Sequence, residues 1–394
     1  MTTVKSSRIE SLDILRGLVM VIMALDHVRA YFYFGSFFND PTDLETTTPI
    51  LFFTRFMTHF CAPIFVFLAG TSAYLYGSKK SKPELAKFLF TRGIWLIFLE
   101  IVVNNLIWTF DLGYSILIFQ VIWAIGLSMV FLSFLIYLPY KTMMLIAFIL
   151  VAGHNLLDSI VMEGNSFTSA FWYILHQRQR MVLGPSKMIA IGYPIIPWIG
   201  LMTFGYCFGR LYQKDFEQTL RKKWLLALGS VTIVLFFILR GINVYGDLVP
   251  WSTQKNTVYT LLSFFNVTKY PPSLAYLLIT TGPTFILLYL LEHRQTKLTN
   301  FFLVFGRVPL LFYFLHVLVI HALALLGLAL FGGNWKDMIL TADGFINAKL
   351  LDYGYPLWVV YLVWMAVILM LYPVCKKYMV YKASNKQKWW LSYL

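Results

Sequence analysis

Long apolar stretches, each able to cross a bilayer, constrain this fold more than any other feature of the sequence. A soluble body of 394 residues needs many charged side chains on its surface, yet only 13% of these residues are charged. Lipid covers apolar side chains without that requirement. The sequence therefore excludes a soluble enzyme, and its 35 Phe, 24 Tyr and 12 Trp exclude an intrinsically disordered chain.

The apolar stretches predict an all-α, polytopic integral membrane protein with about ten transmembrane helices. No linker separates two soluble domains, so we expect residues 1–394 to form a single transmembrane domain. The ten windows lie near residues 12–34, 50–77, 88–110, 114–136, 142–158, 189–212, 224–245, 272–291, 301–331 and 355–375.

The distribution of Lys and Arg predicts the orientation in the membrane. Threading the windows with the N-terminus inside places eighteen of these cations in the cytoplasm, including Lys5 and Arg8, and seven on the opposite side. The positive-inside rule favours this threading, with both termini cytoplasmic. The net charge of +14 is then a topology signal, and we expect lipid rather than nucleic acid as the partner of this chain.

The first window carries ionisable side chains that are costly inside a membrane. Asp13 can hold Arg16 at a spacing of three, and Arg16 and His27 fall within roughly 20° of each other on the helix, about 16 Å apart along its axis. This spacing predicts a polar stripe from one end of the helix to the other. Asp26 and Arg29 form a second pair on a different face of the helix. This pair has either a functional role or the structural role of holding the first helix against its neighbours, and the sequence favours neither.

The second window brings Arg55 and His59 to the predicted depth of His27. A neutral imidazole can take a proton from a hydroxyl or amine near pH 7, and arginine can stabilise the oxyanion that forms when an acyl carbonyl is attacked. Metal binding by His27 and His59 is the lower-ranked alternative, because no carboxylate-rich set surrounds them and arginine repels a cation. We therefore assign no metal site.

Further polar side chains in other windows complete the candidate site. Glu100 and Asn104 lie in the third window, and His316 lies in the ninth. Together with polar side chains of the fourth, fifth and seventh windows, they predict a hydrophilic cavity that opens outward. These further side chains are Gln120, His154, Asn155, Asp158, Arg240 and Asn243. The predicted catalytic residues are His27, Asp26, Arg55 and His59, and the predicted donor- or substrate-binding residues are Asp13, Arg16, Arg29, Glu100, Asn104 and His316.

The stretch SLDILRGLVMVIMALDH at residues 11–27 resembles the first-span signature of transmembrane acyltransferases, in which an Asp is followed by an Arg and then a His. FVFLAGTS at 65–72, YPIIPWIG at 193–200 and FYFLH at 312–316 add weaker similarity. These segments resemble bacterial membrane proteins of the heparan-alpha-glucosaminide N-acetyltransferase catalytic-domain family. The chain is thus expected to be a single transmembrane acyltransferase-like domain.

The resemblance implies a multi-pass enzyme of the bacterial inner membrane. Such an enzyme takes an acyl group, typically acetyl, from a cytoplasmic CoA donor and delivers it to a sugar or glycan on the far side. Acetyl-CoA is then a co-substrate, and no cofactor is bound permanently. The oligomeric state is left open, a homodimer included.

The carried-over catalytic residue is His27. The animal lysosomal enzyme has its active-site histidine just after the first span, and residues 33–39 contain none. His27 acts here either as a general base, with Asp26 or another carboxylate orienting the imidazole, or as the carrier of the acyl group. The alternative function is a transporter or flippase of an anionic or lipid-linked substrate, in which the arginines grip the substrate and the histidines relay protons.

Overall fold

The apolar stretches fold into helices in the computed structural model, which describes residues 9–392. The predicted N-terminal cations Lys5 and Arg8 lie outside these residues. The α-helices are α1 (Glu10–Phe32), α2 (Pro49–His59), α3 (Cys61–Gly77), α4 (Lys82–Phe98), α5 (Asn105–Thr109), α6 (Val121–Leu135), α7 (Tyr140–Ala152), α8 (Phe167–Leu175), α9 (Ile196–Phe208), α10 (Gln218–Ile242), α11 (Thr257–Phe265), α12 (Leu274–Leu291), α13 (Lys297–Arg307), α14 (Pro309–Leu330), α15 (Ala342–Ile346) and α16 (Leu357–Ser384).

Within residues 9–392, five helices are long and apolar enough to cross a membrane by length and composition: Pro49–Gly77 (α2 with α3), α10, α12, α14 and α16. Helix α1 is long enough at 23 residues, but every 18-residue segment of it carries at least three charged side chains. Helices α6 and α7 are apolar but shorter. The chain is therefore mostly helical and multi-pass, while ten spans and cytoplasmic termini stay predictions.

Several predicted windows are interrupted, because polar or proline-containing sequence ends a helix inside them. The window at 301–331 is two helices, since α13 ends at Arg307 and α14 begins at Pro309. The window at 114–136 becomes helical only at Val121 and begins with a strand. Between α4 and α5 the helix widens to a π-helix at Leu99–Asn104, a geometry that is frequent at functional sites.

A short three-stranded sheet accompanies the helices in a chain that is otherwise mostly helical, as predicted. Its strands are β1 (Ile116–Phe119), β2 (Gln179–Val182) and β3 (Met188–Ile191), in the order β1-β3-β2. Strand β1 is parallel to β3, with Ile116 opposite Met188, and β2 is antiparallel to β3. Because the parallel strands end side by side, the residues that follow them, Gln120 and Tyr193, come close to the same place.

Local sequence signals set several helix starts. The Ser81 hydroxyl accepts from the backbone N–H of Glu84, whose carboxylate accepts from the backbone N–H of Ser81, a capping box at the start of α4. These hydrogen bonds from the Ser81 backbone and hydroxyl lower the pKa of Glu84 to about 2. Thr48 and Ser273 cap α2 and α12 in the simpler way, each accepting one backbone N–H.

Helix α1 lies at the centre of the bundle and packs against α2, α3, α12, α13, α14 and α16. Its closest neighbour is α13, and the two backbones meet at a pair of glycines. A Cβ atom on Gly17 would lie 1.8 Å from the Phe302 carbonyl oxygen, and one on Gly306 would lie 1.8 Å from the Asp13 carbonyl oxygen. Only glycine permits this approach, which fixes the polar side chains of α1 relative to the last helices.

Candidate active site

A pair of histidines from α1 and α14 forms the centre of the site. His27 Nδ1 lies 2.7 Å from His316 Nε2, and the two rings are parallel within 8°. His316 is fully buried. Residues 289 positions apart in the chain thus make one hydrogen-bonded unit.

The hydrogen bonds of His316 determine which nitrogens carry protons when both rings are neutral. His316 Nδ1 lies 2.7 Å from the carbonyl oxygen of Phe312, which can only accept, so Nδ1 carries the proton. His316 Nε2 is then an acceptor, and His27 donates its Nδ1–H to it. His27 Nε2 is left with a free lone pair, the form that a general base requires.

Aromatic side chains hold the His27 ring in place. Trp108 meets it edge-on at a centroid distance of 4.9 Å, and Tyr313 meets it edge-on at 6.0 Å. These contacts and the hydrogen bond to His316 together fix the ring orientation.

A small polar cavity lies beside His27. Its volume is about 30 Å³, room for a water molecule or two but far too small for an acyl donor. It is lined by Met23, Asp26, His27, Thr58, Cys61, Ala62, Phe65, Gln120, Val121, Tyr193, Lys269 and Tyr313. The cavity thus joins α1, α2, α3 and α14 with the residues that follow strands β1 and β3.

Asp26 bridges two arginines. Its Oδ1 accepts from Arg29 at 3.0 Å, and its Oδ2 accepts from Arg55 at 2.5 Å. Asp26 therefore holds α1 against α2, which is the structural role that the sequence allowed for the Asp26–Arg29 pair. The hydrogen-bond partner of the His27 imidazole is His316, and both carboxylate oxygens of Asp26 contact arginines, so orientation of the ring by Asp26 stays a prediction.

His59 does not join the histidine pair. Its ring packs on Phe56 and Tyr276, and its backbone carbonyl accepts from the Tyr276 hydroxyl at 2.7 Å. His59 is not one of the described residues that line the cavity. His59 is the last residue of α2, and α3 begins two residues later at Cys61.

Arg16 and Asp13 form a second polar cluster near the other end of α1. Arg16 donates to Asp13 at 2.8 Å, to the Ser72 hydroxyl at 3.1 Å and to the Gly306 carbonyl at 3.3 Å. Arg307 approaches the same Asp13 carboxylate at 3.9 Å. Arg16 is not among the described residues that line the cavity. The stripe on α1 is therefore two separate polar sites in this conformation.

Glu100 and Asn104 lie side by side on the π-helix between α4 and α5. Asn104 Nδ2 donates to Glu100 Oε1 at 2.7 Å, and Glu100 Oε2 accepts from the backbone N–H of Trp123 at 2.9 Å. Both side chains are fully buried. Glu100 therefore anchors the first turn of α6, directly behind the cavity residues Gln120 and Val121.

Sequence reasoning missed Lys269 as a site residue. This lysine precedes α12 in a loop and reads as a topology signal, yet it is only 8% exposed and lines the cavity. Tyr193 and Tyr313 also line the cavity, and they come from two other segments that are distant in the sequence. A lysine next to an aromatic and two prolines, Tyr270, Pro271 and Pro272, was the only signal that this loop folds inward.

Asp40, in the loop after α1, lies near the positively charged side chains of Arg55 and Arg178. Burial alone would raise the pKa of this carboxyl, but hydrogen bonds from the backbone and hydroxyl of Thr42 and the charges of Arg55 and Arg178 outweigh it. The pKa of Asp40 is lowered as a result. The loop after α1 therefore carries an acidic counterpart to the arginines.

The bundle and its histidine pair define a multi-pass membrane protein with two hydrogen-bonded histidines, one of which lines a small cavity. A family model for heparan-alpha-glucosaminide N-acetyltransferase, catalytic, matches residues 8–245. The chain belongs to this family, which confirms the family resemblance seen in the first window and indicates a membrane acyltransferase. No curated protein matches the chain. Lys269, Tyr313 and His316 lie beyond the matched residues.

Proposed function

We propose that this protein transfers an acetyl group from acetyl-CoA to a hydroxyl or amine of a sugar or glycan, with His27 as the general base. The observation that carries the proposal is the hydrogen bond from His27 to His316, which leaves His27 Nε2 unprotonated beside a polar cavity. The family supplies the class of reaction.

The bond changes of the acyl transfer involve only the acceptor, the thioester donor and His27. The acceptor oxygen or nitrogen attacks the thioester carbonyl carbon while His27 Nε2 takes its proton. The carbon–sulfur bond then breaks, and the proton on His27 passes to the sulfur of the leaving CoA. The products are the acetylated acceptor and free CoA. Throughout, His316 accepts the Nδ1–H of His27 and stabilises the positive charge that develops on its ring.

Lys269 is the cation we assign to the developing oxyanion. Its side chain lines the same cavity as His27, whereas Arg55 is held by Asp26 and Arg16 lies in the other cluster. An ammonium group in a site with little water stabilises an oxyanion more strongly than it would in bulk solvent. Arg29 and Arg55 then act by keeping Asp26 charged and in place.

The donor and the acceptor approach from opposite sides in this proposal. His27 lies in the last turns of α1, at the end of the bundle that carries the sheet, and the positive-inside rule assigns that end to the outer side. The CoA donor enters from the cytoplasm, so its acyl arm has to extend most of the length of α1.

Purified full-length protein in nanodiscs, supplied with acetyl-labelled CoA and a mixture of amino sugars and oligosaccharides, tests the proposal. We expect label on an acceptor, and a loss of about 10²- to 10⁴-fold in kcat for His27→Ala. His293→Asn is the matched control, since His293 is exposed in the loop after α12 and asparagine tolerates its positive φ.

The outcomes separate the alternatives. Label that remains on the wild-type protein without an acceptor, and is absent from His27→Ala, identifies an acyl-histidine intermediate. Substrate uptake into vesicles without any labelled product supports a transporter and overturns the enzyme proposal. Inside-out and right-side-out vesicles, each given donor on one face only, test the direction of transfer.

A further inference from the structure

Three side chains of metal-ligand type meet where α7 and α8 end, a cluster that the acyl-transfer proposal does not use. His154 follows α7, His176 follows α8, and Asp158 lies between them in the chain. One potential ligand atom from each side chain lies within 4.8 Å of the other two. His176 Nε2 lies 3.0 Å from Asp158 Oδ1.

Three of the four ring nitrogens of the two histidines have no hydrogen-bond partner, although both rings are buried. His154 is 2% exposed and neither of its nitrogens makes a hydrogen bond of good geometry, although the backbone of Pro272 is nearby. His176 is 3% exposed, and its Nδ1 also has no partner. Buried polar atoms are nearly always paired, so His154, with both nitrogens unpartnered, points to a ligand that binds one of them.

A second layer of hydrogen bonds orients the carboxylate. Asn155 Nδ2 donates to Asp158 Oδ2 at 2.8 Å, and Asn155 Oδ1 accepts from the backbone N–H of Leu274 at 3.0 Å. This arrangement fixes one carboxylate oxygen and leaves Oδ1 facing the histidines. Metal sites commonly hold their ligands in this way.

We propose that His154, Asp158 and His176 bind a zinc ion. Two imidazoles and a carboxylate suit zinc, and tetrahedral coordination needs ligand atoms about 3.3 Å apart, a contraction of at most about 1.5 Å from the observed cluster. Two neutral imidazoles and one carboxylate also leave the bound ion with a single net positive charge. Three protein ligands leave the fourth position to water.

The ion joins the end of α7 to the segment that carries the sheet. Residues after His176 form β2 and β3 and lead to Tyr193 at the cavity. A bound zinc ion would thus link this segment to the helical bundle. The inference stands independently of acyl transfer.

The test uses full-length protein purified without a histidine tag and stripped with a chelator. We expect about one zinc per chain on reconstitution and a higher Tm. His154→Gln and His176→Gln should each weaken zinc binding at least about tenfold, whereas the control His293→Asn binds as the wild type does.

A wild-type protein that takes up no zinc, or variants that bind zinc as well as the wild type, would overturn the proposal in favour of a plain His–Asp ion pair. If the variants do not fold, zinc-edge absorption of the reconstituted wild type still decides the question. Two imidazole ligands are expected, and none or one contradicts the site.

Discussion

At the residue scale, the chain of hydrogen bonds from the Phe312 carbonyl through His316 to His27 determines the chemistry of the site. The sequence nominated both histidines but assigned His316 only to substrate binding. Their contact depends on how α14 packs on α1, and no local pattern encodes that packing. In the proposed mechanism His316 is a positioning residue, since it acts through His27.

Variants of His316 test whether this residue orients the His27 ring or only fills space between α1 and α14. We expect His316→Ala to lower kcat by about 10²-fold or more with an unchanged KM for the acceptor, because His27 loses the acceptor for its Nδ1–H. His316→Gln should recover part of the activity, since its amide oxygen can accept that proton. Steady-state kinetics check both variants. Equal losses in the two variants, with an unchanged tautomer of His27 by NMR, would contradict the role.

Asp26 offers a stability prediction. Asp26→Asn leaves Arg29 and Arg55 without their shared carboxylate in a largely buried place, and we expect a loss of about 3–5 kcal/mol of unfolding free energy. Denaturant unfolding in detergent measures this loss. Asp343→Asn is the control, because Asp343 pairs with Lys349 at an exposed site and should change stability little. Similar stability of the two variants would count against the bridge.

At the scale of elements, the contact of α1 with α13 depends on two glycines. Gly17→Ala would place a methyl group 1.8 Å from the Phe302 carbonyl oxygen, so the backbones must separate. We expect a loss of about 1–3 kcal/mol or more and a lower Tm. Thermal unfolding followed by tryptophan fluorescence measures the change.

The matched control is Gly241→Ala in α10, where an added Cβ meets nothing within 4 Å. Alanine should be neutral there or stabilise the helix by about 0.5–1 kcal/mol. Two variants with the same Tm would show that the glycine contact is not as close as described.

Arg240 shows why helices are easier to predict than the roles of their polar residues. Its position in an apolar window predicted a cavity residue. Its guanidinium instead donates to the backbone carbonyls of Ser263, Phe264 and Asn266 and to that of Val249, closing the end of α11. A sequence identifies a costly charge in a membrane, but the partner of that charge comes from another element.

At the scale of the whole molecule, a cavity of about 30 Å³ means that the bundle has to open before a donor reaches His27. Cys61 reports this motion, since its thiol lines the cavity and is 5% exposed. Desulfo-CoA, which lacks both the acyl group and the thiol that would consume a maleimide, should open the path and leave the acyl end of the cavity empty. We therefore expect N-ethylmaleimide to alkylate Cys61 faster when desulfo-CoA is present, as measured by peptide mass spectrometry.

Cys207 and Cys375 are internal controls, because both are buried and neither lines the cavity. Their rates should not change with desulfo-CoA. A Cys61 rate that is the same with and without desulfo-CoA, or an equal rise at all three thiols, would contradict a local opening at the site.

The sequence by itself determined the membrane class, the mostly helical architecture and the presence of Asp13, Arg16 and His27 on the first helix, because apolar length and helical period are local properties. Tertiary structure alone decided that His316 rather than Asp26 or His59 contacts His27, that Lys269 reaches the cavity, and that Arg16 belongs to a separate cluster. Each of these contacts joins segments far apart in the chain. Their geometry follows from helix packing and from the breaks within the apolar windows, neither of which a single sequence encodes locally.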